Sequence, residues 1–292
     1  MKGVILVENS FVHPYMPNSV PENKKAMLDE LGISSVEDIY KSIIPDELLY
    51  KERLDIPEPI RSEYELKRHV MGILNRDITT EEYTSFLGAG CYKHQVPAIC
   101  DEINSRGEFL TAYCGDTYSD HGKMQAIFEY TSMMGELLDT DVVSYTTYDG
   151  GQAVASSLRM AVRAVREKGM AGKVILVPKT MNPEIYSQVV QYCRNVAEVR
   201  KIAYEPETGL MDLEELKEQL TKKNVAAVFF ENPTYLGNFE TRGEEIAKLA
   251  HDAGAYCVVQ TEVAVLGIME SPVNQGADIV CGDIQPLGMH IQ

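Results

Sequence analysis

From residue 142 onward, short apolar runs alternate with amphipathic helical stretches, and this alternation limits the chain to few folds. Strand-like runs occupy 142–146, 173–177, 225–230, 255–260 and 278–281. Helical patterns lie between them, from Gln152, over 183–193 and 213–220, and near 242–252, with a turn at 207–212. Apolar strands separated by helices pair side by side in parallel, and the helices cover both faces of the sheet they form. The fold class is therefore α/β. A long amphipathic helix over about 122–138, with Met124, Ile127, Phe128, Met134, Leu137 and Leu138 on one face, precedes this region.

The first 85 residues read differently. They form short helices separated by prolines, an arm of 1–85 laid beside a larger body of 86–292. Asn23 is placed to cap a helix that stops at Gly32. Ser35 with Asp38, and Ser62 with Glu65, have the spacing in which a hydroxyl and an acid each satisfy a free amide at a helix start.

The composition excludes several classes of function. A net charge of −17 repels phosphate backbones, and no block of Lys or Arg offsets it, so nucleic acid is not an expected partner. No apolar run reaches the roughly 18 residues of a membrane span, and residues 1–8 do not make a signal peptide. The six cysteines are scattered without a C-x-x-C pair and read as reduced thiols of a cytoplasmic protein. The six histidines are dispersed, so no metal site is expected.

Three stretches carry residues suited to chemistry. Tyr148-Asp149-Gly150-Gly151-Gln152 joins a predicted strand to a predicted helix. Its glycines allow a tight turn and its free helix-start amides suit a phosphate, although a plain tight turn has the same composition. Asn232, in Glu231-Asn-Pro-Thr-Tyr-Leu-Gly-Asn238, ends the strongest strand, at the sheet edge where ligands of such folds bind; a strand-ending turn fits equally. A polar cluster of Tyr92, His94, Thr111, Tyr113 and Tyr118, with Asp120 and His121 beyond, supplies hydroxyl and imidazole groups for a cleft. Of these, His94, Tyr113 and Tyr118 are the catalytic candidates, without a nucleophile–base pair among them.

Several unusual phrases occur in a characteristic order: Phe86-Leu-Gly-Ala-Gly-Cys-Tyr92, Glu108-Phe-Leu-Thr-Ala-Tyr113, Tyr148-Asp-Gly150, Asn232 to Asn238, and Gln285-Pro-Leu-Gly288. In these phrases the chain resembles the first subunit of the split glycine dehydrogenase (decarboxylating), the P-protein of the glycine cleavage system. The resemblance implies the large domain of a pyridoxal-phosphate (PLP) transferase of the aspartate aminotransferase type (fold type I), with a mainly parallel, seven-stranded-type sheet. The family continues into a smaller C-terminal domain, and since little follows Gly288 the expectation is either a truncated product or a chain without that domain.

The resemblance further assigns cofactor-side positions to Asp149, Gly150, Gly151, Gln152, Asn232 and Glu262. It places Gln285 where the family fold carries its Schiff-base lysine. No lysine follows Lys248, and an amide nitrogen is not a nucleophile, so this chain is not expected to hold PLP covalently. The implied setting is a cytoplasmic heterotetramer in which a homologous second subunit carries PLP. Glycine is the implied substrate and the lipoyl H-protein the implied acceptor. One segment departs from the family pattern: Cys114-Gly-Asp-Thr-Tyr-Ser-Asp-His-Gly122 replaces a tract that begins Thr-Pro-Tyr-Gln. That rewriting leaves open a paralogous subunit acting on another amino acid, or a catalytically inert scaffold for a partner.

Overall fold

The computed structural model describes residues 12–50, 52, 54–86, 94–107, 121–144 and 146–290, without the side chains of 121–123. The chain divides into two units, Met1–Asp77 and Ile78–Gln292.

The first unit holds three helices: α1 (Pro21–Leu31), α2 (Glu37–Lys41) and α3 (Glu63–Leu74). Gly32 closes α1 in the left-handed conformation, φ 68°, as its lack of a Cβ allows. The start of α1 differs from the expectation. Pro21, whose ring presets a helical φ, takes the first helical position, with Val20 as cap. Asn23 therefore lies inside the helix, and its Nδ2 donates 3.1 Å back to Pro17 O. Ser62 caps α3 as its spacing predicts, its hydroxyl accepting from Glu65 N at 3.4 Å. At α2 the acid half of the predicted pair is made, Asp38 Oδ2 accepting from Ser35 N at 3.1 Å. No described residue of this unit is buried.

The second unit begins with α4 (Ala98–Asn104) and α5 (His121–Leu138), then continues α6 (Gly150–Glu167), β1 (Val174–Pro178), α7 (Pro183–Cys193) and β2 (Glu198–Ile202). It ends α8 (Leu213–Leu220), β3 (Val225–Asn232), α9 (Gly243–Asp252), β4 (Tyr256–Thr261) and β5 (Ile279–Cys281). The strands form one sheet in the order β2-β1-β3-β4-β5, and every adjacent pair is parallel. The described residues supply five strands where a seven-stranded-type sheet is expected.

Alternation along the strands sorts the core into two layers, because successive side chains leave opposite faces. Val174, Leu176, Val228, Phe230, Cys257 and Val259 meet Leu213, Leu216 and Leu220 of α8 and Ile246 and Ala250 of α9. Ile175, Val177, Phe229 and Val258 meet Val154, Leu158, Val162 and Val165 of α6 and Val189 of α7. The apolar residues of α6 recur at i, i+3, i+4 and i+7, the spacing that turns one stripe of a helix inward. Cys193 and Cys257 are free thiols, one in each layer, and burial pushes their pKa values up to about 11 and about 12.

Two strand expectations fail in opposite directions. The β-branched run at 142–146 forms no strand among its described residues, and Val142 is 82% exposed. A favourable composition does not make a strand without a ladder to join. Conversely, β2 is an edge strand of sequence Glu-Val-Arg-Lys-Ile with only Ile202 buried, so it offers no apolar run to read.

The exit from β5 passes close to the end of β4. A Cβ on Gly282 would lie 2.1 Å from Thr261 O, a backbone atom that cannot swing aside. Replacement Gly282→Ala is expected to cost ~3 kcal/mol or more, read as a lowered denaturant midpoint; an unchanged midpoint would contradict this contact. A polypeptide of residues 1–77 is expected to show no cooperative thermal transition by circular dichroism, because none of its described residues is buried.

Candidate functional site

Parallel strands end together, so β3, β4 and β5 deliver their last residues, Asn232, Thr261 and Cys281, to one edge of the sheet. A chain of contacts joins these ends. The Thr261 hydroxyl donates to Asn232 O at 3.1 Å, and Glu262 N reaches the same carbonyl at 3.4 Å. Gly282 packs on Thr261, and a Cβ on Gly150 would meet Asp283 Cβ at 3.4 Å. The start of α6 therefore stands beside the loop that carries Gln285. Gly150 meets the Gln285 loop at Asp283, and Asn232 meets Glu262, although Gly150 and Asp283 lie 133 positions apart in sequence.

The start of α6 is capped by its own residues. Asp149 is the N-cap, with Oδ1 accepting from Gln152 N at 2.6 Å. Gln152 Oε1 in turn accepts from Tyr148 N at 3.0 Å, and the Thr147 hydroxyl donates to Asp149 O at 2.8 Å. Gly151 has a packing reason as well: a Cβ there would lie 2.6 Å from Gln188 Oε1 of α7. Asp283 adds a second carboxylate, its Oδ1 accepting from Gln285 N at 2.9 Å. Among the described residues neither Asp149 nor Asp283 forms an ion pair, so a phosphate placed here meets two carboxylates at a helix start that is already capped.

Asn232 is 1% exposed and bonded on both sides of its amide. Oδ1 accepts from Glu240 N at 3.0 Å and Nδ2 donates to Glu240 O at 3.3 Å, closing the 233–240 turn. Its neighbour Glu231, which sequence reasoning passed over, is 5% exposed and accepts from Asn182 N at 3.2 Å. Burial raises its pKa to about 7, against the lowering effect of its bonds from the Asn182 and Tyr235 backbone. Gln285 is also buried, and among the described residues its Nε2 has no hydrogen-bond partner; the same holds for Oε1 of Gln260 on β4. These amides offer a donor and an acceptor but no nucleophile.

The residues present do not fit a covalently held PLP. The buried Gln285 amide is no nucleophile, the Gln152 amide at the start of α6 is taken by Asp149, and Asp283 adds like charge. Of the predicted polar cluster, His94 is described, with Nε2 2.6 Å from Met289 O, which ties it to the segment just beyond Gln285. Tyr92, Thr111, Tyr113, Tyr118 and Asp120 lie outside the described residues, as does the His121 side chain. Among the described residues no group of three His, Cys, Asp or Glu side chains is placed to hold a metal ion.

Residues 13–292 match the family model for the glycine cleavage system P-protein. A Staphylothermus marinus protein described as a probable glycine dehydrogenase (decarboxylating) subunit 1 is 35% identical over 288 residues, covering 95% of this chain and 59% of that one. The Pyrococcus horikoshii protein of the same description is 38% identical over 276 residues, covering 94% and 59%. The chain thus spans about three fifths of the length of the curated relatives it matches. A crystal structure of glycine decarboxylase (P-protein) of the glycine cleavage system, in inhibitor-bound form, superposes with a TM-score of 0.78 at 31% identity, covering 96% of this chain and 60% of that one. The structure of Oryza sativa TDC with PLP shares the fold alone, with a TM-score of 0.56 at 14% identity over 97% of this chain and 67% of that one. The architecture is that of the PLP-dependent fold type I.

Glu231 makes stability pH-dependent with a defined sign. Its folded pKa lies above the ordinary 4.5, so the folded state keeps the proton longer and loses stability as pH rises from about 4.5 to about 7. Glu231→Gln is expected to remove that loss, gaining on the parent by a few kcal/mol between about pH 5 and pH 8. Denaturant titrations at several pH values measure the difference, and parallel curves would refute it.

Proposed function

The chain belongs to the glycine cleavage system P-protein family, and on that premise we propose that it is the non-lysine-bearing subunit of a heteromeric, PLP-dependent glycine decarboxylase. A homologous second subunit would hold the cofactor on its own lysine. The reaction proposed for the complex is the decarboxylation of glycine, with transfer of the remaining aminomethyl group to the lipoyl arm of the H-protein. PLP supplies the electron sink for such a decarboxylation when bound. The observation that carries this reading is the family match over residues 13–292, taken with the amide Gln285 at the position where the resemblance puts the fold's Schiff-base lysine.

This chain's own contribution is scaffolding and shape. The carboxyl edge of its sheet is fixed by Asn232, Thr261 and Gly282, and it presents the Gln285 loop and the α6 start as fixed features. The segment 111–122, with Tyr113 and Tyr118, is proposed to face the partner's cofactor. Among the described residues no helix is long and apolar enough to cross a membrane; a cytoplasmic heterotetramer is the proposed form. The altered segment 114–122 favours one second reading, a paralogous subunit whose complex takes a different amino acid.

Absorbance of the PLP aldimine tests both. The isolated chain is expected to give no aldimine band that borohydride removes, and the band is expected to form once the second subunit is added. A spectral shift with glycine supports the first reading, and a shift with another amino acid but not glycine supports the second. A reducible aldimine formed stoichiometrically on the isolated chain would overturn the assignment.

A further inference from the structure

Three polar groups at the carboxyl edge of the sheet are out of keeping with their burial. Glu231, next to last in β3, is 5% exposed and among the described residues forms no ion pair. Gln260 of β4 has a buried acceptor, Oε1, without a donor, and Gln285 beyond β5 has a buried donor, Nε2, without an acceptor. Among the described residues the other buried side-chain atom so left is Oδ1 of Asn224, which lies at the opposite end of β3. A buried polar group without a partner is costly, so two of them beside a buried acid call for a common cause.

The ladder brings the acid and the acceptor together. Glu231 stands opposite Gln260 in the β3–β4 pair, and Gln260 stands opposite Cys281 in the β4–β5 pair. Side chains two residues apart leave the same face of a strand. Phe229 and Val258 lie in the layer under α6 and α7, so Glu231 and Gln260 leave toward that layer side by side, on strands about 4.8 Å apart. Asn182 N lies 3.2 and 3.3 Å from the two Glu231 oxygens, and burial lifts the carboxyl pKa to about 7. The acid form carries one O–H, which needs an acceptor of its own. Gln260 Oε1 is an acceptor in need of a donor, at the same level on the next strand. The other titratable groups around Glu231 leave this role open. Lys179 after β1, Asp149 before α6, Glu184 of α7 and Asp283 after β5 are exposed, and Glu262 just past β4 is half-buried. Tyr186 of α7 lies under the Lys201 ammonium, and burial holds the Cys281 thiol of β5 protonated up to about 12. The Glu231 shift itself comes from burial, opposed by the Asn182 and Tyr235 backbone bonds.

We propose that Glu231 is held as the carboxylic acid, donating to Gln260 Oε1, and that loss of this proton reverses the Gln260 amide. Half a turn of the planar amide exchanges its acceptor for its donor. Once the proton passes to solvent, Gln260 Nε2 donates to the Glu231 carboxylate, and Oε1 turns from β3 toward β5. Gln285 follows four residues after Cys281, the residue opposite Gln260, and its Nε2 is the donor that Oε1 then accepts from. One proton thus decides whether Gln260 is tied to β3 alone or bridges β3 to the loop beyond β5. The edge carries a proton-operated latch on the Gln285 loop, open while Glu231 is the acid and closed when it ionises. The latch needs neither a partner nor a cofactor, so it stands or falls apart from the function proposed above.

The test is a pH titration of the full chain followed by NMR, with isotope-labelled Glu carboxyls and Gln side-chain amides. The Glu231 carboxyl is expected to titrate near pH 7, and the amide signals of Gln260 and Gln285 to shift with the same midpoint. Above that midpoint the Gln285 Nε2 protons are expected to exchange with solvent about tenfold more slowly than below it, after correction for the base-catalysed intrinsic rate. Glu231→Gln imitates the acid, because its amide donates where the O–H did; both Gln signals are then expected to keep their low-pH positions throughout. Gln260→Met matches the side chain in length and removes the relay, so Glu231 still titrates while Gln285 becomes indifferent to it. A Gln285 signal that ignores pH in the unmodified chain overturns the latch. So does one that still follows pH in E231Q or Q260M. The titration of the unmodified chain needs no substitution, so the latch is open to refutation even where a variant fails to fold.

Discussion

A strand with all eight residues out of water needs cover on both faces and neighbours on both edges, and β3 is such a strand. Its parallel pairing with β1 and β4 supplies the edges. The helices α6 and α7 cover one face and α8 and α9 the other, in two apolar layers that meet only through the sheet. Since strands joined by helical crossovers all run the same way, their carboxyl ends arrive together. The candidate site is the outcome of that one constraint: no residue of it packs where it does for its own sake.

The edge so produced is closed by its own side chains. Asn232 spends its amide on the Glu240 backbone, Asp149 caps α6 from within, and Gly282 allows β5 to leave in contact with Thr261. A fold type I architecture with these groups engaged holds the edge by its own hydrogen bonds, the Gln152 amide at the start of α6 among them. The unpartnered amides of Gln285 and Gln260 are what remains open.

Much of the fold was legible in sequence, because buried parallel strands and one-sided helices leave strong periodic patterns. The strands β1, β3, β4 and β5 and the helices α5 to α9 follow from apolar runs and from i, i+3, i+4 spacing. The strand β2 did not, since an edge strand with one buried residue has no apolar signature; the run at 142–146 misled for the opposite reason. Asn23 failed as a cap because Pro21 had already set the helix start. At the site, the Asp149–Gln152 spacing was readable as a helix start, but the pairing of Asn232 with Glu240 and the approach of Asp283 to Gly150 depend on the folded chain. Glu231 gave no signal at all: an acid at the end of an apolar strand looks like its solvent-exposed boundary, yet it is buried.

Two of the three thiols that burial raises, Cys193 and Cys257, extend the picture to motion; Cys281 of β5 is the third. Cys193 lies in the layer under α6 and α7, and Cys257 in the layer under α8 and α9. A thiol held protonated by burial reacts with an alkylating reagent only when its surroundings open and the thiolate forms. Cys193 and Cys257 thus put a latent chemical clock on each side of the sheet. The relative rates at which the two are labelled would tell whether the layers breathe separately or the sheet parts as a unit.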